Sequence, residues 1–181
     1  MPDTAQQYQQ VIANCSKLFE KKLQDYGAAW RALRPSSVTD QLYIKAKRIR
    51  SIQEKMTRKI DDDIADEFIG LVNYAAMAII QLENESVVEI DFSVAQAIEA
   101  HQKVLDEAFQ LMQNKNHDYD EAWRKMRISS LTDIILVKLL RIKQIEDNEG
   151  VTIASEGAAS NYFDIINYAV FALILLNEKN S

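Results

Sequence analysis

Along this chain apolar residues return every three or four positions with polar or charged residues between them, the pattern of amphipathic helices rather than of strands. A first helix is predicted from about Asp3 to Gln24, with Tyr8, Val11, Ile12, Cys15, Leu18, Phe19 and Leu23 on one face. The same design returns from Ser93 to about Lys115, carried by Val94, Ala97, Ile98, Val104, Leu105, Ala108, Phe109 and Met112. A second type of helix is expected from Ser37 to about Thr57 and from Ser130 to about Asp147. Each opens on a Ser-x-Thr-Asp segment (Ser37 to Asp40, Ser130 to Asp133) that fits a capping box. A third type, from about Asp62 to Glu83 and from Ser155 to Glu178, is apolar nearly all round, as a buried helix must be.

The three types recur in the same order because the chain contains itself twice. Residues 25–49 align without a gap on residues 118–142, an offset of 93, with 13 of 25 positions identical. The third helices align at an offset of 94, so one residue has been inserted ahead of the last helix. The identities are mainly polar or aromatic, which a shared need for a core alone would not preserve. The expected fold is all-α: a helical bundle of two tandem three-helix repeats, 1–83 and 92–181, joined by a linker at 84–91 with Asp91 as the N-cap of the next helix. One repeat alone would leave its third helix half exposed, so the two should pack face to face about an internal pseudo-twofold as one globular domain.

Composition narrows the function classes. Four Gly and two Pro in 181 residues leave few helix breaks, consistent with long helices and short connections. A net charge of −6 opposes a phosphate backbone, which argues against general nucleic-acid binding. Cys15, the lone cysteine, can make neither an internal disulfide nor a thiolate metal cage, so a reducing compartment is expected. The first residues carry no basic and apolar leader pattern. The most apolar run, Tyr162 to Leu176, is shorter than the ~20 residues of a bilayer span and includes Asp164 and Asn167. A cytoplasmic protein with no membrane partner is the expectation.

Candidate chemistry gathers in the polar frame of the repeats. Asp164 and Asn167 share a helix face. The counterpart of Asp164 is Gly70, but Asp66 lies two turns before Asn73, and its own counterpart is Ser160. Facing repeats would converge Asp66, Asn73, Asp164 and Asn167 into an oxygen site suited to Mg²⁺. The competing reading has the two asparagines bonding across an interface and Asp66 belonging to the solvated run Asp61 to Asp63. Lys45 and Arg48, matched by Lys138 and Arg141, make a basic face for a phosphate or for internal ion pairs. Asp25, Tyr26, Trp30, Arg31 and Arg34 are matched by Asp118, Tyr119, Trp123, Arg124 and Arg127. A tryptophan beside a guanidinium can stack a base and hold its phosphate, and can equally plug a core. Cys15 reads as core, His101 falls on a polar helix face, and His117, matched by Gln24, lies outside the shared frame. No Ser/His/Asp grouping, Gly-rich phosphate loop, HExxH or CxxC motif is present.

The tandem pattern DYG-x-x-W-R, S-x-x-T/L-D, K-x-x-R-I and D-x-x-N-Y-A resembles the nucleotide modification associated domain family of type 1, over about residues 16–83 and 109–178. That resemblance implies an all-α protein of nucleotide metabolism acting on free deoxynucleotides, with a small-molecule nucleotide as partner and room for a homodimer. The chain is more distantly similar to all-α nucleoside triphosphate pyrophosphatases. This implies a Mg-dependent pyrophosphohydrolase in which Asp66 and Asp164 hold the metal, and Lys45, Arg48, Lys138 and Arg141 grip phosphates. Asn73 and Asn167 would then orient ligand, with Trp30, Trp123, Arg31 and Arg124 around the base. The E-x-x-E pair of those enzymes is replaced here by Lys and Arg. The alternative is a non-catalytic nucleotide-binding or protein-interaction module whose polar frame is structural.

Overall fold

The computed structural model describes residues 3–55, 60–152 and 156–181, the side chains of 60–63, 118 and 119 apart. Among the described residues there are six α-helices and no strand: α1 Thr4–Tyr26, α2 Pro35–Lys55, α3 Ile60–Glu83, α4 Val94–Tyr119, α5 Ile128–Asp147 and α6 Ala158–Lys179. The all-α bundle of two tandem three-helix repeats is therefore the fold. Helices α3 and α6 pack on each other at its centre, α2 and α5 cover them and touch along a seam, and α1 and α4 cross the remaining side.

Helix ends follow local chemistry. The Asp3 carboxylate accepts from the Gln6 N–H at 3.1 Å and caps α1. Ser93 and Gln96 form a reciprocal capping box at the start of α4. Asp91, expected as that cap, instead pairs with Arg31. Helices α2 and α5 begin two residues ahead of Ser37 and Ser130, so these serines lie inside the first turn, and the residue before α5, Arg127, makes no side-chain cap. In α2 this early start suits Pro35, whose fixed φ fits the first helical position. The expected end of α2 at Thr57 and start of α6 at Ser155 lie outside the described residues, as do the side chains of Asp61 to Asp63. The Asp-Tyr pairs form the last turns of α1 and α4 rather than a loop, and each Ala-Trp-Arg sits in a 3-10 turn, Ala29–Ala32 or Ala122–Lys125. Gly27 ends α1 at φ 61°, ψ −159°, a conformation only glycine takes cheaply, with its N–H on the Leu23 carbonyl.

The halves are joined by matched pairs. The Tyr8 hydroxyl donates to Asn167 Oδ1 at 2.6 Å, and His101, 93 residues after Tyr8, meets Asn73 Oδ1 at 3.0 Å. Thr39 donates to Glu146 at 3.1 Å, while its counterpart Thr132 accepts from Gln53 at 3.1 Å. Asp40 pairs with Lys143 at 3.4 Å and Asp133 with Arg50 at 3.8 Å. These reciprocal contacts are what the polar identities of the repeat maintain. They also correct the reading of His101, which is 2% exposed and stacked on Phe19 at 3.9 Å. Position 101 is polar in sequence, but its equivalent Tyr8 sits on the apolar face of α1, and the two are buried alike.

Two segments, Ile64–Glu83 and Ala158–Lys179, are long and apolar enough to span a bilayer, so α6 is not short of that length as its apolar run suggested. Their most apolar windows are 67% and 78% buried against the other helices. Side chains such as Phe68, Leu71, Ile79, Ile165 and Ile166 are spent there on the common core, each contributing roughly 1.5–3 kcal/mol.

Candidate functional site

A cleft of about 230 Å³ opens in the first repeat between the end of α1, the turn carrying Trp30 and the middle of α3. Its walls are aromatic, from Trp30, Tyr26 and Tyr74, and its charges come from Lys22, Lys45 and Asp66. Gly70 and Met77 form its α3 side, one helix turn to either side of Asn73 and Tyr74. Trp30 is held edge-on or tilted by Phe92 at 6.3 Å and Phe19 at 6.1 Å, and no ring stacks face to face on it among the described residues. Lys45 lies along the bare backbone of Gly70, where a Cβ would stand 3.2 Å from its Nζ. The same ammonium is 5.1 Å from the Tyr74 ring centre and only 3.8 Å from Glu67 Oε2. Neither Lys22 nor Asp66 has an ion-pair partner among the described residues. The cleft therefore combines aromatic side chains with two lysines against one carboxylate, Asp66, an excess of positive charge suited to an anion bearing a ring.

In the second repeat, side chains stand at the positions of Gly70 and Met77. Asp164 occupies the position of Gly70 and takes Lys115 at 2.7 Å and Lys138 at 2.9 Å. Burial acts to raise its carboxyl pKa, but the hydrogen bonds and charges of the two lysines outweigh burial and hold it below the usual carboxylate range. Phe171 occupies the position of Met77 and stacks on Trp123, with centroids 4.1 Å apart and planes 3° from parallel. Both indole N–H groups are buried without an acceptor among the described residues, so that feature belongs to the repeat and does not distinguish the clefts.

The sequence-predicted residues divide accordingly. Lys45, Trp30, Asp66 and Asn73 line the open cleft. Asn73 has its amide engaged, donating from Nδ2 to the Cys15 carbonyl at 3.0 Å and accepting from His101. Asn167 accepts from Tyr8. Arg48 turns to Glu67 at 3.4 Å, and Arg141 is exposed on a separate shallow depression. Arg31 and Arg124 do not face the cleft. Arg31 is buried and held by Asp91, Gln81 and the Glu85 carbonyl, which ties the 84–91 linker to the first repeat. Arg124 is held by Glu121, Glu178, Thr4 and Gln7. Trp123 is a core plug. Lys22, Tyr74 and Met77 join the cleft without having been singled out. Lys22 and Tyr74 recur as Lys115 and Tyr168 but fall outside the block of strongest identity, and Met77 looks like ordinary core.

The composite acidic site is not assembled. Asp66 lines the first cleft, whereas Asp164 is taken by two lysines in the other repeat, and no group of three His, Cys, Asp or Glu side chains gathers among the described residues. A carboxylate already bridging two ammonium groups is a poor magnesium ligand, and Asp66 alone is too few, so these residues do not fit a metal held by the protein.

Comparison with known proteins adds one finding. The family model described as Nucleotide modification associated domain 1 matches twice, at residues 22–82 and 115–176, one match per repeat. No curated protein and no solved structure matches the chain.

Proposed function

The chain belongs to the nucleotide modification associated domain 1 family, and from that premise we propose that it binds a nucleotide in the open cleft of its first repeat. The observation that supports this most directly is the cleft itself, in which Trp30, Lys22 and Lys45 line one space beside the bare backbone of Gly70. The base would lie on Trp30, a contact worth about 1–3 kcal/mol in single-strand binders. The phosphates would lie between the lysines, where each charge-assisted bond contributes about 1.5–3 kcal/mol. Magnesium enters this reading as the counter-ion of the phosphates rather than as a resident of the protein.

A catalytic version of the same reading rests on Asp66. Asp66 is exposed, lines the cleft and has no ion-pair partner among the described residues, which supports a reading in which its carboxylate takes a proton from water attacking a bound phosphate. Pyrophosphate release from a deoxynucleoside triphosphate that is lost in Asp66→Asn, with binding kept, would support hydrolysis. Release that persists in Asp66→Asn would remove Asp66 from that role.

Calorimetric titration with each of the four dNTPs and their monophosphates tests binding directly. One site per chain is expected, weakened about tenfold or more by Lys45→Ala or Trp30→Ala. Absence of heat, together with a melting temperature unchanged by any of the eight ligands, would eliminate the proposal.

A further inference from the structure

We propose that the second repeat is the same ligand site closed by its own side chains, with Asp164 standing where the ligand's anionic group lies in the first repeat and Phe171 standing where its ring lies. The proposal rests on the nucleotide reading only for the identity of the ligand; the correspondence of the two clefts stands on geometry.

The cations match one for one. Lys115 and Lys138, which grip Asp164, are the counterparts of Lys22 and Lys45, both of which line the open cleft. The rings match as well, since Trp123 carries Phe171 flat against its face, and Trp30, its counterpart, carries no stacked ring among the described residues. Other lining positions differ too, Asp66 being matched by Ser160, but at the two that concern the anion and the ring the second repeat has a carboxylate and a phenyl group where the first has Gly70 and Met77. A carboxylate between two ammonium groups and a ring parallel to an indole at van der Waals distance are the two contacts a nucleotide would make. Position 70 and position 77 are two turns, about 10 Å, apart along the helix, so the ligand of the first repeat must present its ring and its anion at a comparable separation. This favours a nucleotide with an extended phosphate chain over a free base or nucleoside.

Gly70 is also what keeps the first site open. The nearest atoms a Cβ at that position would meet are those at the far end of the Lys45 side chain, so a side chain can be introduced there if Lys45 shifts by a few tenths of an ångström. An aspartate would then find the ammonium groups that its equivalent finds in the second repeat.

Two arms test this. The first needs no ligand: Gly70→Asp is compared with Gly70→Asn, which has nearly the same size but no charge. If the carboxylate bridges Lys22 and Lys45, Gly70→Asp melts about 2–4 °C above Gly70→Asn in low salt, and the gap closes in 1 M NaCl. Equal or reversed melting temperatures would overturn the proposal, whatever the protein binds. The second arm counts sites by calorimetry with dATP, dGTP, dCTP and TTP in turn. One site is expected in the wild type, none in Gly70→Asp/Met77→Phe and two in Asp164→Gly/Phe171→Met. A folded Asp164→Gly/Phe171→Met protein that still binds one equivalent would refute the closed-site proposal while leaving the nucleotide reading intact. A wild type that binds none would remove the nucleotide reading and leave the first arm to decide the correspondence.

Discussion

Asn73 fixes the protonation of its neighbour. Its Nδ2 donates to the Cys15 carbonyl, so its Oδ1 must accept, and His101 must carry its proton on Nε2. Burial pushes the His101 pKa down to about 4 from 6.5, so the ring is neutral in the folded protein. The unfolded chain binds a proton there in the window between these values and the native state does not. This contribution to stability is therefore complete above pH 6.5 and is lost progressively as pH falls towards 4, by roughly 3 kcal/mol in all. Melting temperature recorded against pH should fall across that window in the wild type and fall much less in His101→Gln; parallel curves would exclude His101 as the source. The repeat frame held the clue to this site. Tyr8 stands among the apolar positions of its helix and His101 is its counterpart, so the burial of one implies the burial of the other, although periodicity alone places a histidine with the polar residues.

At the scale of elements, the seam between α2 and α5 shows why one set of polar residues survives in both repeats. Thr39, bonded to Glu146 and to Tyr162, and Thr132, bonded to Gln53, occupy the same place on the two helices. Their partners differ in two respects: the first repeat supplies an amide and the second an acid, and Tyr162 is matched by Phe68, which has no hydroxyl. Burial raises the Glu146 pKa, opposed by the hydrogen bond from Thr39 and reinforced by Asp40 and Asp147. A carboxyl whose folded pKa is raised contributes most below its unfolded value near 4.5 and loses that contribution as pH rises. Glu146→Gln, which copies Gln53, should therefore stabilise the protein at pH 7 by about 0.5 kcal/mol, a figure kept small because Glu146 is only partly buried and solvent screens it. Urea melts at pH 7 and pH 4 would check it, with the gain confined to pH 7. The helices and their duplication were legible in the sequence because period and self-similarity are local or linear signals. The partner of each polar residue was not, because a Ser-x-Thr-Asp segment reads as a capping box until the start of the helix is known. Here Pro35 and Ile128 begin the helices early, which releases Asp40 and Asp133 to pair across the seam. The cleft was half legible: Trp30, Lys45, Asp66 and Asn73 came from the sequence and the alignment set Gly70 against Asp164, but what that contrast means, and its companion at Met77 and Phe171, required knowing which side chains face the same space.

At the scale of the molecule, neither half is a finished object. Helix α3 has its apolar surface against α6, α1 lies partly on α6, and α4 lies partly on α3, so each repeat completes the core of the other. Residues 1–83 alone would expose that surface, yet the chemistry of the joint permits a substitute partner. In a symmetric pair of first repeats, Tyr8 would meet Asn73 in place of Asn167, Thr39 would meet Gln53 in place of Glu146, and Asp40 would meet Arg50 in place of Lys143. Each replacement conserves a hydrogen bond or an ion pair of the same type. The expected behaviour of the isolated 1–83 fragment is therefore a folded homodimer that loses helix on dilution, as an obligate pair must. Sedimentation equilibrium combined with circular dichroism across a hundredfold range of concentration would show it. A fragment that remains helical and monomeric at the lowest concentration would mean that one repeat can close its own core. The reciprocal pairs would then secure the arrangement of the halves without being needed for either to fold.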